Sequence, residues 1–256
     1  MNLLHAVLLG VVEGVTEFLP VSSTGHLILA TRLLGLEQTE FLKSFDIAIQ
    51  LGSILAVVVL YGRSLFVRPP VLRRVAAAFL PTAGVGLLLY KLIKRFLLSN
   101  NQAVLWALFL GGIGLVVFEL VYREKATDTE DLGEIPYRQC FLIGIFQSLA
   151  MFPGVSRSAA TVIGGLSLHL KRKTIVEFSF LLAVPTMLAA TALDLLKSAP
   201  SFAVSELQFL AVGAAVSFGV SVLSIRLLLR FIRSHTFLPF GIYRIVVALA
   251  LWFSWR

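Results

Sequence analysis

Charge is scarce in this chain. Asp, Glu, Lys and Arg make up 14% of its 256 residues, while apolar residues reach 58% and phenylalanine alone occurs 20 times. Soluble domains carry charge on about a quarter of their residues, so this balance excludes one and indicates a polytopic membrane protein. Cysteine is scarcer still. Cys140 stands alone, which excludes an intramolecular disulfide, and it has no CxxC or histidine at metal-ligand spacing, so it reads as structural. Acidic residues are in deficit, 14 against 22 basic, for a net charge of +8. Such an excess suits nucleic acid, but here the basic residues gather at the ends of apolar runs and no base-stacking motif accompanies them, so no nucleic-acid partner is expected. The start also lacks a basic n-region: its apolar stretch runs straight into Glu13, and no cleavable signal peptide is expected.

What is present is a series of long apolar runs: 47–61, 75–90, 103–118, 178–193, 207–225 and 245–255. Flanking residues lengthen each toward the roughly 20 needed to cross a bilayer, which predicts six spans. The longest polar stretch, 123–138, contains Asp128, Glu130, Asp131 and Glu134 and reads as a solvated linker between two halves, about 1–122 and 139–256.

Two polar clusters interrupt this apolar background. The first is Glu13-Gly-Val-Thr-Glu17-Phe-Leu-Pro20-Val-Ser22-Ser23-Thr24-Gly-His26; the second is Gln147-Ser-Leu-Ala-Met-Phe-Pro153-Gly-Val-Ser156-Arg157-Ser158-Ala-Ala-Thr161. Aligning Gly10-x-x-Glu13 with Gly144-x-x-Gln147 sets Ser22 opposite Ser156, Ser23 opposite Arg157 and Thr24 opposite Ser158, so the chain reads as a repeat. Each motif is too broken for a continuous spanning helix. Irregular backbone at membrane depth survives where protein or a water-filled cavity satisfies it, so each is expected to be the tip of a re-entrant helical hairpin. The expected fold is all-α, with six transmembrane spans and two such hairpins. Three crossings per half is an odd number, so the second half is expected to be inverted relative to the first, with the tips meeting near the midplane.

Charge orients this layout. Arg63, Arg68, Arg73, Arg74, Arg123, Lys125, Arg138, Lys171, Arg172, Lys173, Arg226, Arg230 and Arg233 fall on one face, and Arg32, Lys43, Lys91, Lys94, Arg95, Lys197 and Arg256 on the other. By the positive-inside rule the first face is cytoplasmic and both termini lie outside. Arg157 and Arg244 remain, both at membrane depth.

The residue types in the clusters point to phosphate. Glu13 and Glu17 are one helical turn apart, about 6 Å, so the pair suits one hard divalent cation, or one of them a general base; equally, acids near a helix terminus can be caps. Pro20 breaks the helix, and Ser22, Ser23 and Thr24 follow as caps of the next, with free N–H groups at an anion-binding helix start. His26 is a turn beyond Ser22 and Ser23, within reach of a seryl hydroxyl as a base. Arg157, between Ser156 and Ser158, has the planar fork that fits two phosphate oxygens, or that pairs with Glu13 or Glu17 when no phosphate is bound. Glu119, Glu177 and Asp194 sit at span edges.

The run from Glu13 to His26 and the run Pro153-Gly-Val-Ser-Arg-Ser-Ala-Ala-Thr161 resemble the signatures of bacterial undecaprenyl-diphosphate phosphatases, the bacitracin-resistance family; 46–59, with Gln50-Leu-Gly-Ser53, and 178–185 are similar to that family too. The resemblance covers nearly the full length. It implies removal of one phosphate from a C55 polyprenyl diphosphate, regenerating the monophosphate carrier of cell-wall assembly and conferring resistance to bacitracin. It places the acidic pair on Glu13 and Glu17, the seryl and histidyl residues on Ser23 and His26, and the arginine on Arg157. Ser22, Thr24, Ser156, Ser158, Thr161 and Gln50 are then expected around the phosphates, with a divalent cation, magnesium or calcium. The partners it implies are the polyprenyl lipid and the bilayer of the bacterial inner membrane, with the site open to the outer face; a homodimer is left open. Attack by Ser23 with Glu17 or His26 as base and direct attack by water fit equally well. The competing reading is a polyprenyl-phosphate transporter or flippase, because inverted repeats with broken helices also build secondary transporters.

Overall fold

Asparagine 2 starts the first helix: its side chain accepts the His5 N–H at 2.9 Å, satisfying one of the free donors of the opening turn. In the computed structural model, which describes residues 1–37, 39–96, 101–198 and 206–254, ten α-helices follow one another. They are α1 (Leu3–Thr16), α2 (Ser23–Leu33), α3 (Glu40–Phe66), α4 (Pro69–Phe96), α5 (Asn101–Val121), α6 (Tyr137–Ser148), α7 (Arg157–Ser167), α8 (Arg172–Ser198), α9 (Leu207–Phe231) and α10 (Leu238–Ser254). A single 3₁₀ turn, Leu149–Met151, follows α6. No strand occurs among the described residues beyond an isolated bridge between Thr129 and Leu170. The chain is an all-α polytopic membrane protein.

Five stretches, 44–66, 69–88, 102–121, 172–192 and 207–231, are long and apolar enough to cross a bilayer. The sixth expected span, 245–255, falls within α10, a shorter apolar helix of 17 residues, and its last residue lies outside the described part. Both polar motifs are helix–turn–helix units, as expected. Pro20 lies in the break after α1, and Pro153 lies in the break after the 3₁₀ turn. The serine ahead of each second helix is left-handed, with φ 72° at Ser22 and 77° at Ser156. Such backbone costs a non-glycine residue about 1–3 kcal/mol and persists only where its surroundings impose it.

Packing between the two halves is reciprocal. Helix α1 lies along α9 and α6 lies along α4, while α3 contacts α8 and α9, and α5 pairs with α10. A glycine permits each of the first two of these contacts. A Cβ on Gly10 would sit 2.7 Å from the carbonyl oxygen of Gly213, and one on Gly144 only 2.0 Å from that of Ala78. Close helix contact through small residues is how membrane helices gain packing energy when lipid and side chain are equally apolar.

The segment between α5 and α6, expected as a solvated linker, is exposed over most of its length but is tied to the bundle at a few residues. Asp128 is buried and accepts from Tyr122 Oη and the Lys125 N–H, and Leu132 and Ile135 belong to the core. Thr129 exchanges backbone hydrogen bonds with His169 and Lys171. Arg68 pairs with Asp131 at 3.1 Å and Arg74 donates to the Ile135 carbonyl, so the α3–α4 turn, the linker and the α7–α8 turn meet at one end of the bundle. Glu119 also belongs there: it is buried, pairs with Arg172 and accepts the Phe237 N–H at 3.1 Å, which ties α5, α8 and the start of α10 together. Of the opposite set of basic residues, the side chains of Lys43, Lys91, Lys94, Arg95, Lys197 and Arg256 lie outside the described residues, as does that of Asp194.

Candidate functional site

The two breaks come together around a cavity of about 140 Å³. Glu17, Ser22, Ser23 and Thr24 line it from the first motif, Pro153, Gly154, Ser156 and Arg157 from the second, and Gln50, Ala150 and Met187 complete the wall. Ser23 Oγ donates to Glu17 Oε2 at 2.5 Å, and Arg157 Nη2 reaches Glu17 Oε1 at 3.2 Å. One carboxylate therefore holds both a hydroxyl from its own tip and a guanidinium from the other. All three side chains are largely buried, which strengthens an interaction worth little at a wet surface.

Helix α7 and its neighbour α8 fix the guanidinium. Arg157 Nη1 donates to the Ser179 carbonyl at 2.8 Å, and Thr161 Oγ1 shares a hydrogen bond with Ser179 Oγ at 2.7 Å while lying 3.0 Å from the Arg157 carbonyl. Thr161 thus braces Arg157 from behind and does not line the cavity. Arg157 Nε is buried without a partner. Ser156 caps α7 by accepting the Ala159 N–H at 3.3 Å, whereas Ser158 is buried away from the cavity with its hydroxyl unpaired.

His26 is placed differently from a base for Ser23. Its Nδ1 lies 2.8 Å from the Ser22 carbonyl and its Nε2 2.8 Å from the Tyr243 hydroxyl, so both ring nitrogens are engaged away from Ser23. The base that geometry offers Ser23 is Glu17. Glu13, one turn earlier on α1, does not line the cavity; it is fully buried and neither carboxylate oxygen has a partner. A buried carboxylate left bare is costly, and a divalent cation would neutralise it. Among the described residues no three Asp, Glu, His or Cys side chains converge as a metal cage. Magnesium commonly takes only one or two carboxylates, with phosphates and water completing its shell, and the Glu13–Glu17 pair fits that demand.

Two residues outside both motifs build the site as well, Arg244 and Tyr243 on α10. Arg244 is fully buried and donates to five carbonyls: those of Ala107 and Leu108 on α5, of Pro20 in the first tip, and of Gly154 and Val155 in the second. It anchors both tips to α5 through their carbonyls. Its signal in the sequence was a lone arginine inside an apolar run, which by itself marks a membrane-embedded residue as functional.

Residues 6–250 match the family described as bacitracin resistance protein BacA. The chain is 51% identical over 255 residues to a protein of Sulfurihydrogenibium sp., covering 100% of both, and 52% identical to one of Aquifex aeolicus over 96% of this chain and 95% of that one. A protein of Wolinella succinogenes is 47% identical over 99% of this chain and 98% of its own. All three carry the name undecaprenyl-diphosphatase. With a family match over residues 6–250 and relatives about half identical over nearly their whole length, the chain belongs to the BacA bacitracin-resistance family.

Proposed function

We propose that this protein hydrolyses undecaprenyl diphosphate to undecaprenyl phosphate and inorganic phosphate, returning the lipid carrier to cell-wall synthesis and thereby conferring resistance to bacitracin. The observation that carries the reading is the Ser23–Glu17–Arg157 constellation at one cavity between the two tips. The name shared by relatives about half identical over their whole length supports the substrate.

Arg157 binds the diphosphate with its fork, exchanging Glu17 for phosphate oxygens, and the N–H groups that open α2 and α7 add donors for the charge that builds on the transferred phosphoryl group. Glu17, released from Arg157, takes the proton of Ser23 Oγ. The Ser23 oxygen then bonds to the terminal phosphorus as the anhydride P–O bond breaks, and the polyprenyl monophosphate leaves with the electron pair. Glu17 then gives that proton up to the departing monophosphate, takes one from the water that attacks the phosphoserine phosphorus, and returns it to the Ser23 oxygen as the P–O bond breaks and phosphate is freed. In the direct route Ser23 only binds, and water attacks the terminal phosphorus. Glu13 and Glu17 would hold a magnesium or calcium ion, which neutralises phosphate charge when bound.

The enclosing architecture we infer is two inverted repeats, about 1–122 and 139–256, joined by 123–138, in the bacterial inner membrane with both termini outside and the site open to the outer face.

Phosphate release from C55 diphosphate in detergent, where no second compartment exists for transport, tests the hydrolysis. Wild type is expected to turn over, to stop with chelator, and to lose at least about 100-fold in rate on Glu17→Ala. Absence of release by folded wild type would overturn the reading. Labelled phosphate trapped on Ser23 selects the covalent route; a turnover-competent Ser23→Ala protein excludes it.

A further inference from the structure

The first tip holds Ser22 in a left-handed conformation with φ 72°, yet Ser22 makes no side-chain cap to the helix it opens. What holds it is its carbonyl. That oxygen accepts His26 Nδ1 at 2.8 Å and the His26 backbone N–H at 3.3 Å. A carbonyl only accepts, so the hydrogen of the imidazole sits on Nδ1, and in the neutral ring Nε2 must then be an acceptor. The group facing Nε2 is the Tyr243 hydroxyl at 2.8 Å, and the two rings lie stacked, with centroids 5.5 Å apart and planes within 7°. The next residue on α10, Arg244, grips the Pro20 carbonyl two positions ahead of Ser22.

We propose that Tyr243 is a positioning residue of the phosphatase: by donating to His26 Nε2 it fixes the imidazole in its Nδ1–H form, and that hydrogen pins the Ser22 carbonyl and so aims Ser23 Oγ and the opening N–H groups of α2 at the phosphate cavity. The chain of contacts runs Tyr243, His26, Ser22, Ser23, and only the last two line the cavity. His26 is thereby assigned to holding the tip, with both nitrogens committed, while Glu17 serves Ser23. This assignment rests on the phosphatase reading for its catalytic consequence alone; the tautomer is a property of the folded protein.

Tyr243→Phe keeps the stacked ring and removes only the hydroxyl. Protein carrying ¹⁵N-histidine, in detergent, reports the tautomer directly, with the His26 signals identified by their loss in His26→Gln. Wild type is expected to show the Nδ1–H form, and Tyr243→Phe a mixture with the Nε2–H form. With C55 diphosphate, Tyr243→Phe is expected to lose about tenfold in kcat, with KM changed less than about twofold, because substrate still meets Arg157 while Ser23 is less well aimed. An Nε2–H form in wild type, an unchanged tautomer in Tyr243→Phe, or an unaltered kcat would each overturn the proposal. If wild type releases no phosphate, the phosphatase reading fails, and the tautomer experiment still decides whether Tyr243 sets His26.

Discussion

Glu17 is a junction between two chemical demands. Its Oε2 takes the Ser23 hydroxyl and its Oε1 takes Arg157, and in the proposed mechanism a diphosphate separates carboxylate from guanidinium. The residue types of this junction were legible in the sequence because carboxylate, hydroxyl and guanidinium are rare in an apolar chain. The ion pair of Arg157 with one of the two glutamates was legible too, and the structure gives it to Glu17; the direction of His26 was not, since spacing put it within reach of Ser23 while the fold turns it to Tyr243, which lies 217 positions along the chain. Arg244 was visible only as an unassigned cation. Its five carbonyl acceptors span two tips and α5, and lysine, a point charge with three donors, cannot reach them all. Arg244→Lys is therefore expected to leave buried carbonyls unpaired, lowering stability by about 2–4 kcal/mol and kcat/KM by at least about tenfold. Thermal unfolding in detergent and phosphate-release kinetics check both; wild-type values in both would return Arg244 to a passive place.

At the scale of elements, proline, hydroxyl residues and short flanking apolar stretches sufficed to locate both hairpins, because each signal is local. The surfaces on which the hairpins dock were hidden, since they depend on helices from the other half of the chain. Glycine carries that docking unevenly. Gly144 lets α6 meet α4 backbone to backbone, with Ala78 O only 2.0 Å and Pro81 Cγ only 2.5 Å from where a Cβ would stand, and the Thr82 hydroxyl donates to the Gly144 carbonyl at 2.9 Å across the same contact. Gly84, further along α4, has open space there, with nothing within 4 Å of where its Cβ would stand. Gly144→Ala is thus expected to push α6 off α4 and destabilise the protein by at least about 2 kcal/mol, while Gly84→Ala is neutral or stabilising by up to about 1 kcal/mol through helix propensity. Equal unfolding midpoints for the two variants would remove the docking argument.

For the whole molecule, the helix lengths run 14, 11, 27, 28 and 21 residues from α1 to α5 and 12, 11, 27, 25 and 17 from α6 to α10. The first helix of each set packs on the fourth of the other. Composition made the membrane class legible, and charge gave an orientation, but composition did not show where the linker is tied down: Asp128, Asp131 and Glu130 meet Tyr122, Arg68 and Lys171, and Leu132 and Ile135 enter the core. A polar run between apolar ones reads as solvated whether or not its partners wait at the same end of the bundle. That end gathers Arg68, Arg74, Lys171 and Arg172, and it is the end that the proposed orientation, by the positive-inside rule, turns to the cytoplasm. Single cysteines test this, and the position must be open to solvent: Val71, in the first turn of α4, is fully buried, and Ser99 lies outside the described residues, whereas Lys125 and Glu37 are exposed. The native Cys140 is buried and does not compete for reagent. A membrane-impermeant maleimide added to intact cells is expected to label Glu37→Cys, between α2 and α3, and to reach Lys125→Cys only after the membrane is opened. The reverse pattern would put the linker outside, the termini inside, and the phosphate cavity on the face opposite the one from which a spent carrier has to be recovered.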